Sequence, residues 1–104
     1  MFWFGSSRYY MPKEPAMSEK YSEADRKLLR KVGMILRQHR RRCGLTQEQA
    51  AERACLNVTY LSDVERGKRN ISLINLAHLA DAFALPLEDI FVEDVRENGS
   101  KICE

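Results

Sequence analysis

Apolar residues recur at three- and four-residue intervals through residues 22–44, which is the spacing of an amphipathic helix. Ser22 can cap this helix with Asp25 as its reciprocal partner, and Gly44 is the expected stop. Gly33 lies inside the pattern without a side chain to pack, which predicts that another backbone approaches closely there. The apolar face that we expect this helix to bury is formed by Leu28, Leu29, Val32, Ile35, Leu36 and His39.

Two short helices separated by a three-residue turn are predicted in the middle of the chain. Thr46 caps the first, Asn57 caps the second, and Gly67 is the expected left-handed stop after the second. The first helix carries alanines that allow a close contact, while the outer side of the second is polar. Both features are typical of a helix-turn-helix, which we place at residues 47–66.

A fourth helix is predicted after Ser72, and Pro86 suits the first position of a fifth over about residues 87–92. The residues that the fourth helix is expected to bury are Leu73, Leu76, Leu79, Ala80 and Phe83. No segment alternates apolar and polar residues with the two-residue period of a strand. The sequence therefore predicts an all-α domain of five helices.

The 104 residues of the chain suffice for one domain with one core, which we place at residues 22–92. Residues 1–21 contain clustered aromatic residues without a helical or strand period, so we expect a disordered N-terminal tail. Met17 offers an alternative start, which would leave residues 1–16 outside the native protein. Residues 93–104 are polar and acidic, and we expect them to form a frayed C-terminal tail.

The formal net charge of +2 conceals an uneven distribution of charge along the chain. Residues 18–44 contain nine lysines and arginines against three acidic residues, whereas residues 71–104 contain two against seven. A basic front and an acidic rear suit a molecule that presents one side to a polyanion and keeps the other side away from it. Since charged runs also occur on ordinary solvated helices, the charge pattern favours a nucleic-acid partner but is not sufficient to identify one.

The sequence offers little chemistry for catalysis or metal binding. Cys43, Cys55 and Cys103 include no Cys-x-x-Cys pair, so neither a disulfide framework nor a zinc site is predicted, and the reducing cytoplasm is the expected location. No apolar run approaches the ~18 residues of a membrane span. No nucleophile has a recognisable base near it, and His39 and His78 are the only histidines. We therefore expect no enzyme activity, no metal, no cofactor and no small-molecule ligand.

Four stretches of the chain follow one another in an order that is specific to a known family. They read V-G-M-I-L-R-Q-H-R, G-L-T-Q-E-Q-A-A, T-Y-L-S-D-V-E-R-G-K-R-N-I-S-L and L-A-D-A-F-A-L-P-L-E-D-I-F. Together they resemble the Cro and repressor type of helix-turn-helix domain, often called the xenobiotic-response-element-like family. The resemblance runs from about Leu28 to Val92 and implies a five-helix, lambda-repressor-like DNA-binding domain. The third stretch is also similar to the controller proteins of restriction-modification systems.

The resemblance implies a transcriptional regulator that binds double-stranded DNA sequence-specifically. We expect a homodimer that acts as a repressor or autoregulator of nearby genes and binds a palindromic operator with its third helix in the major groove. The alternative is a protein-interaction module, such as an antitoxin whose acidic rear face binds a partner protein.

The resemblance also implies a role for individual residues. Gln47, at the start of the second helix, would bond a DNA phosphate with the help of the helix N-terminus. The residues that would face base edges are Val58, Thr59 and Asp63. The residues that would hold the DNA backbone are Asn57, Tyr60, Ser62, Arg66, Lys68, Arg69 and Asn70. Arg40 and Glu65 occupy the positions of an internal ion pair.

Several of these positions also have a purely structural interpretation. Gln47 could serve only as a helix former, Tyr60 could pack in the core, and residues 68–70 could form a solvated turn. Cys55 stands where the family usually has glycine, so a left-handed backbone there would carry a steric cost; we expect a small buried hydrophobe, with a redox-sensing thiol as the alternative. His39 replaces an apolar residue, and we expect it to be partly covered and hydrogen-bonded.

A dimer interface is expected at the rear of the domain. The last predicted helix carries more apolar area than one small core can cover, and an isoleucine of the fourth helix adds to it. The residues of this interface would be Ile74, Leu87, Ile90, Phe91 and Val92. Two-fold symmetry would then place the DNA half-sites about one turn, ~34 Å, apart.

Overall fold

The computed structural model describes residues 21–92, which form four α-helices and a short 3₁₀ helix. The elements are α1 (Glu23–Arg42), α2 (Gln47–Ala54), α3 (Val58–Glu65), α4 (Leu73–Ala82) and the 3₁₀ helix (Leu87–Phe91). No strand occurs within residues 21–92, which confirms the all-helical class. The expectations for a disordered N-terminal tail and for an acidic C-terminal tail concern residues that lie, apart from Tyr21, outside the described part of the chain.

Local capping bonds start the helices at the residues that the sequence predicts. The Ser22 hydroxyl accepts from the Asp25 N–H at 3.1 Å, and the Asp25 carboxylate accepts from the Ser22 N–H at 3.2 Å. Thr46 and Gln49 form the same reciprocal pair at α2, with distances of 3.0 and 2.9 Å. At α3 the Asn57 side-chain oxygen accepts from two backbone N–H groups of the first turn. Each bond satisfies a backbone donor that the helix itself leaves without a partner.

One core joins all five elements. The largest fully buried side chains come from every element except α2, and are Leu36, Tyr60, Leu61, Val64, Leu79 and Ile90. α2 contributes the small residues Ala50, Ala51 and Ala54. Because these alanines carry little bulk, α2 can pack closely against both α3 and α4, which holds the helix-turn-helix rigidly on the rest of the domain.

Two leucines expected in the core lie at the surface instead. Leu28 is 58% exposed and Leu73 is 67% exposed. Leu28 belongs to the first turns of α1, a helix that is ~30 Å long and extends beyond the eight-residue α3 and the five-residue 3₁₀ helix that pack against it. Leu73 is the first residue of α4, where the helix begins at the surface. The expectation of burial was wrong at both positions because periodicity does not show where a partner element ends.

The fifth predicted α-helix is a 3₁₀ helix. It follows Pro86 and has the short i to i+3 bonds of that class, from Asp89 N–H to the Pro86 carbonyl at 3.0 Å and from Val92 N–H to the Asp89 carbonyl at 3.2 Å. Its Ile90 side chain is fully buried. The Ile90 carbonyl accepts from His39 Nε2 at 2.9 Å, so the histidine is buried and hydrogen-bonded, as expected, and ties this segment to α1.

Gly33 brings α1 into direct contact with the backbone of α3. A Cβ atom at this position would collide with the carbonyl oxygens of Val64 and Glu65. The close backbone approach expected at Gly33 is thus present, and it fixes how the recognition helix sits against α1. After α3 the chain turns at Gly67, whose φ of +77° is the left-handed stop expected there.

Candidate nucleic-acid interface

The turn between α2 and α3 presents the two helices at a defined angle. Cys55 adopts a left-handed conformation with φ 58° and ψ 42°, and Leu56, which is buried, bonds back from its N–H to the Ala51 carbonyl at 2.8 Å. The steric cost expected at Cys55 therefore applies, since its Cβ opposes this conformation. Its side chain is exposed, so the expectation of a small buried hydrophobe was wrong.

The outer side of α3 forms an accessible stripe of polar residues. Thr59 and Arg66 are exposed, while Ser62 and Asp63 are half-buried. Their spacing of three and four residues places them along one side of the helix. Val58, at the first position of α3, is half-buried and packs partly against the core. This stripe begins at the N-terminus of α3 and runs toward the basic loop that follows it.

Two residues expected to hold the DNA backbone are committed to the protein interior. Tyr60 is 1% exposed, and its hydroxyl accepts from the Asn75 side-chain amide at 3.3 Å. The position faces α4, so the packing interpretation of Tyr60 applies and its ring is not available to a nucleic acid. Asn57 is 8% exposed, and its side-chain oxygen caps α3 through the N–H groups of Thr59 and Tyr60.

Arg40 and Glu65 form the expected ion pair between α1 and α3. Arg40 donates from Nε to Oε2 at 2.7 Å and from Nη2 to Oε1 at 3.0 Å, a bidentate geometry. The Glu65 side chain is 2% exposed and that of Arg40 is 11% exposed. Gln47 completes the group, since its Nε2 donates to Glu65 Oε1 at 3.0 Å. One of the two N–H donors of the side-chain amide that was expected to bond a phosphate is thus used internally. The backbone N–H groups of the first turn of α2 have no carbonyl within the helix to bond.

Asp63 organises two arginines at the end of the recognition helix. Its Oδ1 lies 2.9 Å from Arg66 Nη2, and its Oδ2 lies 3.7 Å from Arg69 Nε. Its backbone carbonyl accepts from the Lys68 N–H at 2.8 Å. The Arg69 guanidinium also covers the Tyr60 ring, 5.5 Å from its centroid. A carboxylate held in this way is less suited to accept from a cytosine amino group than the sequence implied, and better suited to orient cations.

The loop after α3 is basic and reaches the start of α1. Lys68 and Asn70 are exposed, and Arg69 is half-buried. The Asn70 side-chain amide donates to the Tyr21 hydroxyl at 3.1 Å, and Arg26 Nη1 donates to the Tyr21 carbonyl at 2.9 Å. Tyr21, the last residue of the expected N-terminal tail, is thus bonded to both the loop and α1.

A cluster of one carboxylate and two arginines on the first turns of α1 was not predicted from the sequence. The Glu23 carboxylate lies 3.2 Å from Arg26 Nη2 and 3.4 Å from Arg30 Nη2. The hydrogen bonds from Arg26 and Arg30 hold the pKa of Glu23 below its usual value. The pair of arginines four residues apart was visible in the sequence as one side of α1, but nothing in the pattern showed that this side lies beside the loop after α3.

The expected dimer residues separate into exposed and buried ones. Ile74 is 65% exposed, Phe91 49% and Val92 46%. Ile90 is 0% exposed and belongs to the core of its own chain, so its assignment to an interface was wrong. Leu87 is half-buried against the same core.

No helix within residues 21–92 is long and apolar enough to cross a membrane. The same residues contain no group of three or more histidines, cysteines or acidic residues that could hold a metal ion.

Residues 36–90 match the model of a protein family described as Helix-turn-helix. Among curated proteins, the chain is 38% identical over 68 residues to an uncharacterized HTH-type transcriptional regulator of Methanothermobacter thermautotrophicus, covering 64% of this chain and 96% of that one. It is also 38% identical over 53 residues to the control protein C.MunI of a Mycoplasma species, covering 51% of this chain and 72% of that one.

A solved structure shows the same fold. The restriction-modification controller protein C.AhdI from Aeromonas hydrophila is 40% identical and aligns with a TM-score of 0.61. The alignment covers 62% of this chain and 98% of that one. These relatives are regulators and control proteins, which confirms both the family resemblance and the expectation that the chain is a regulator and not an enzyme.

Proposed function

Because the chain belongs to the Cro/C1-type helix-turn-helix family of DNA-binding transcription regulators, we propose that it recognises a palindromic operator as a homodimer and represses or autoregulates nearby genes. The observation that carries this proposal is the stripe on α3, from Val58 and Thr59 to Arg66, which continues into the basic loop at Lys68. A helix of this kind fits the major groove of DNA, where base edges distinguish all four base pairs.

The two ends of α3 are suited to different parts of DNA. Val58 and Thr59 lie in the first turn, with short side chains that can touch a thymine methyl group or, for Thr59, bond a base-edge acceptor. Arg66 and Lys68 lie at the other end, with long exposed cations that suit phosphate. This division supports base reading by the N-terminal half of α3 and backbone binding by the loop that follows it.

Dimerisation is supported by apolar residues that the described chain leaves at its surface. Ile74, Phe91 and Val92 are each between 46 and 65% exposed. Leu73, which the sequence did not assign to this role, is 67% exposed and lies next to Ile74. A symmetric contact through these residues would cover them and place two copies of α3 in successive major grooves.

The proposal is tested by selection of duplexes from a randomised double-stranded library, followed by binding titrations on the enriched site. We expect a palindromic motif whose half-sites are centred about one DNA turn apart, bound more weakly by the Thr59→Ala variant. A scrambled duplex of equal length and composition is the control. Failure to enrich any motif, together with equal affinity for the scrambled duplex, would refute the proposal.

A further inference from the structure

The first turns of α1 lie against the loop that follows the recognition helix. A Cβ atom added to Gly67 would meet the Arg30 side chain and backbone within 3.0 Å, so the two segments are in close contact. The bond from Asn70 to the Tyr21 hydroxyl, 3.1 Å long, makes a second connection. Residues 21–30 precede the segment that matches the family, which begins at residue 36. The beginning of α1 therefore adds surface beside a loop that already carries part of the DNA interface.

This added surface carries two arginines on the side of α1 that meets α3. Arg26, Arg30 and Gly33 are spaced by four and three residues, which places the arginines in line with the glycine that contacts α3. The Arg26 side chain is 33% exposed and that of Arg30 is 51% exposed. The exposed carboxylate of Glu23 accepts a hydrogen bond from each of the two guanidinium groups.

The position of this pair corresponds to a specific part of the DNA. When the first turn of α3 reads base edges, the loop at its other end meets the sugar-phosphate backbone, and the start of α1 lies next to that loop. We propose that Arg26 and Arg30 form a clamp for the phosphates that flank each half-site. Guanidinium groups bind phosphate oxygens in pairs of parallel hydrogen bonds, which suits two neighbouring arginines. The proposal rests on the proposed function, since it extends the same DNA interface to residues that precede the segment matched by the family model.

Glu23 has an opposing role in this arrangement. Its carboxylate bonds both arginines in the free protein, at 3.2 and 3.4 Å, and so occupies the donors that a phosphate would use. Phosphate binding must displace Glu23 or approach a negative charge. Glu23 therefore orders the two side chains while weakening their attraction for DNA.

The clamp is tested with the double variant Arg26→Gln/Arg30→Gln in fluorescence-anisotropy titrations over a range of salt concentrations. A homodimer on its operator carries two copies of each arginine, and each phosphate contact contributes ~0.9 to the slope. We therefore expect a slope of log affinity against log salt that is lower by up to about 3.6, and an affinity roughly 100- to 4,000-fold lower near 0.1 M salt. Base preference at the half-site should stay unchanged.

The matched control is Lys27→Gln/Lys31→Gln. It removes the same charge from the same helix, but these exposed lysines are each rotated by about 100° from the arginines, away from the loop. We expect a much smaller effect on the slope. Equal effects from the two double variants would overturn the clamp, because they would show long-range attraction without local contact.

Two further measurements avoid dependence on how the arginine variant folds. Trimming the operator duplex at the outer edges of its half-sites should weaken wild-type binding by a similar factor, and no loss on trimming would overturn the clamp.

The variant Glu23→Gln should bind several-fold more tightly at every sequence, and an unchanged affinity would overturn the clamp. Failure of the wild type to select any operator would instead refute the proposed function itself.

Discussion

Glu65 places a carboxylate on the recognition helix, where a free negative charge would repel DNA. The structure shows how this residue is accommodated, because Arg40 neutralises it with two hydrogen bonds and Gln47 supplies a third. The side chain is 2% exposed, so its charge is directed inward and joins α1, α2 and α3 at one point. The resemblance implied the pair of Arg40 and Glu65, whereas the participation of Gln47 depends on how α2 sits and was not predicted.

We expect Glu65→Gln to lower the free energy of unfolding by up to about 3 to 5 kcal/mol, because it leaves the Arg40 guanidinium buried without a counter-charge. The measurement is chemical denaturation followed by circular dichroism. Glu88→Gln, at an exposed position of the 3₁₀ helix, is the control and should change stability little. A denaturation curve of Glu65→Gln that coincides with that of the wild type would show that the pair contributes no stability.

A second prediction concerns the strained turn at Cys55, whose φ is 58°. A side chain in this conformation destabilises the folded state by about 1 to 2 kcal/mol, and glycine removes this cost. Glycine also increases the conformational entropy of the unfolded chain, which cancels part of the stabilisation. We therefore expect Cys55→Gly to raise the free energy of unfolding by about 0.5 to 1 kcal/mol, measured by urea denaturation. Cys55→Ala retains the Cβ and should match the wild type. Equal stability of the Gly and Ala variants would contradict the strain argument.

At the scale of elements, the sequence predicted what depends on local chemistry. Ser22 and Thr46 cap their helices through side chains only three residues away, so their bonds follow from sequence spacing alone. The type of the last helix does not follow from sequence spacing. The five residues between Pro86 and Val92 can form an α-helical or a 3₁₀ turn, and their packing against the core determines which one forms. Likewise the exposure of Leu28 depends on the length of neighbouring helices, which periodicity does not report.

The 3₁₀ helix gives a prediction that separates core from interface. Ile90 is fully buried and its neighbour Phe91 is 49% exposed. Ile90→Ala should lower the free energy of unfolding by about 2 to 5 kcal/mol, as buried aliphatic truncations do. Phe91→Ala should change the stability of the monomer much less and instead weaken self-association, which sedimentation at several concentrations measures. If Phe91→Ala destabilises the fold as much as Ile90→Ala does, the proposed division is wrong.

At the scale of the whole molecule, the family and the helix-turn-helix could be predicted from sequence, but the state of individual site residues could not. The stripe on α3 follows from periodicity once α3 is placed. In contrast, the burial of Tyr60 beneath Arg69 and the two arginines bound by Asp63 arise from contacts between α3, α4 and the loop. Such contacts between elements determine which polar side chains remain available to DNA.

The last prediction concerns how sequence preference and affinity are divided across this surface. Val58 and Thr59 are short side chains in the first turn of α3, so that Val58→Ala or Thr59→Ala should change the preferred base within a half-site by roughly 1 to 3 kcal/mol. Lys68 is an exposed cation on the loop, so Lys68→Ala should weaken all sequences about equally and lower the salt slope by up to about 1.8, which is ~0.9 for each protomer of the dimer. Lys27→Ala, at an exposed position of α1 rotated by about 100° from Arg26, is the charge-matched control.

The measurement is a binding series on half-sites randomised one base pair at a time, at two salt concentrations. Base preference and salt slope are then obtained from the same titrations, and each variant is expected to change only one of them. Direct base contacts depend on hydrogen-bond and methyl geometry and are little affected by salt, whereas phosphate contacts release counterions irrespective of sequence. If Lys68→Ala shifts base preference while the Val58 and Thr59 variants leave it unchanged, bases are read by the loop and not by the first turn of α3.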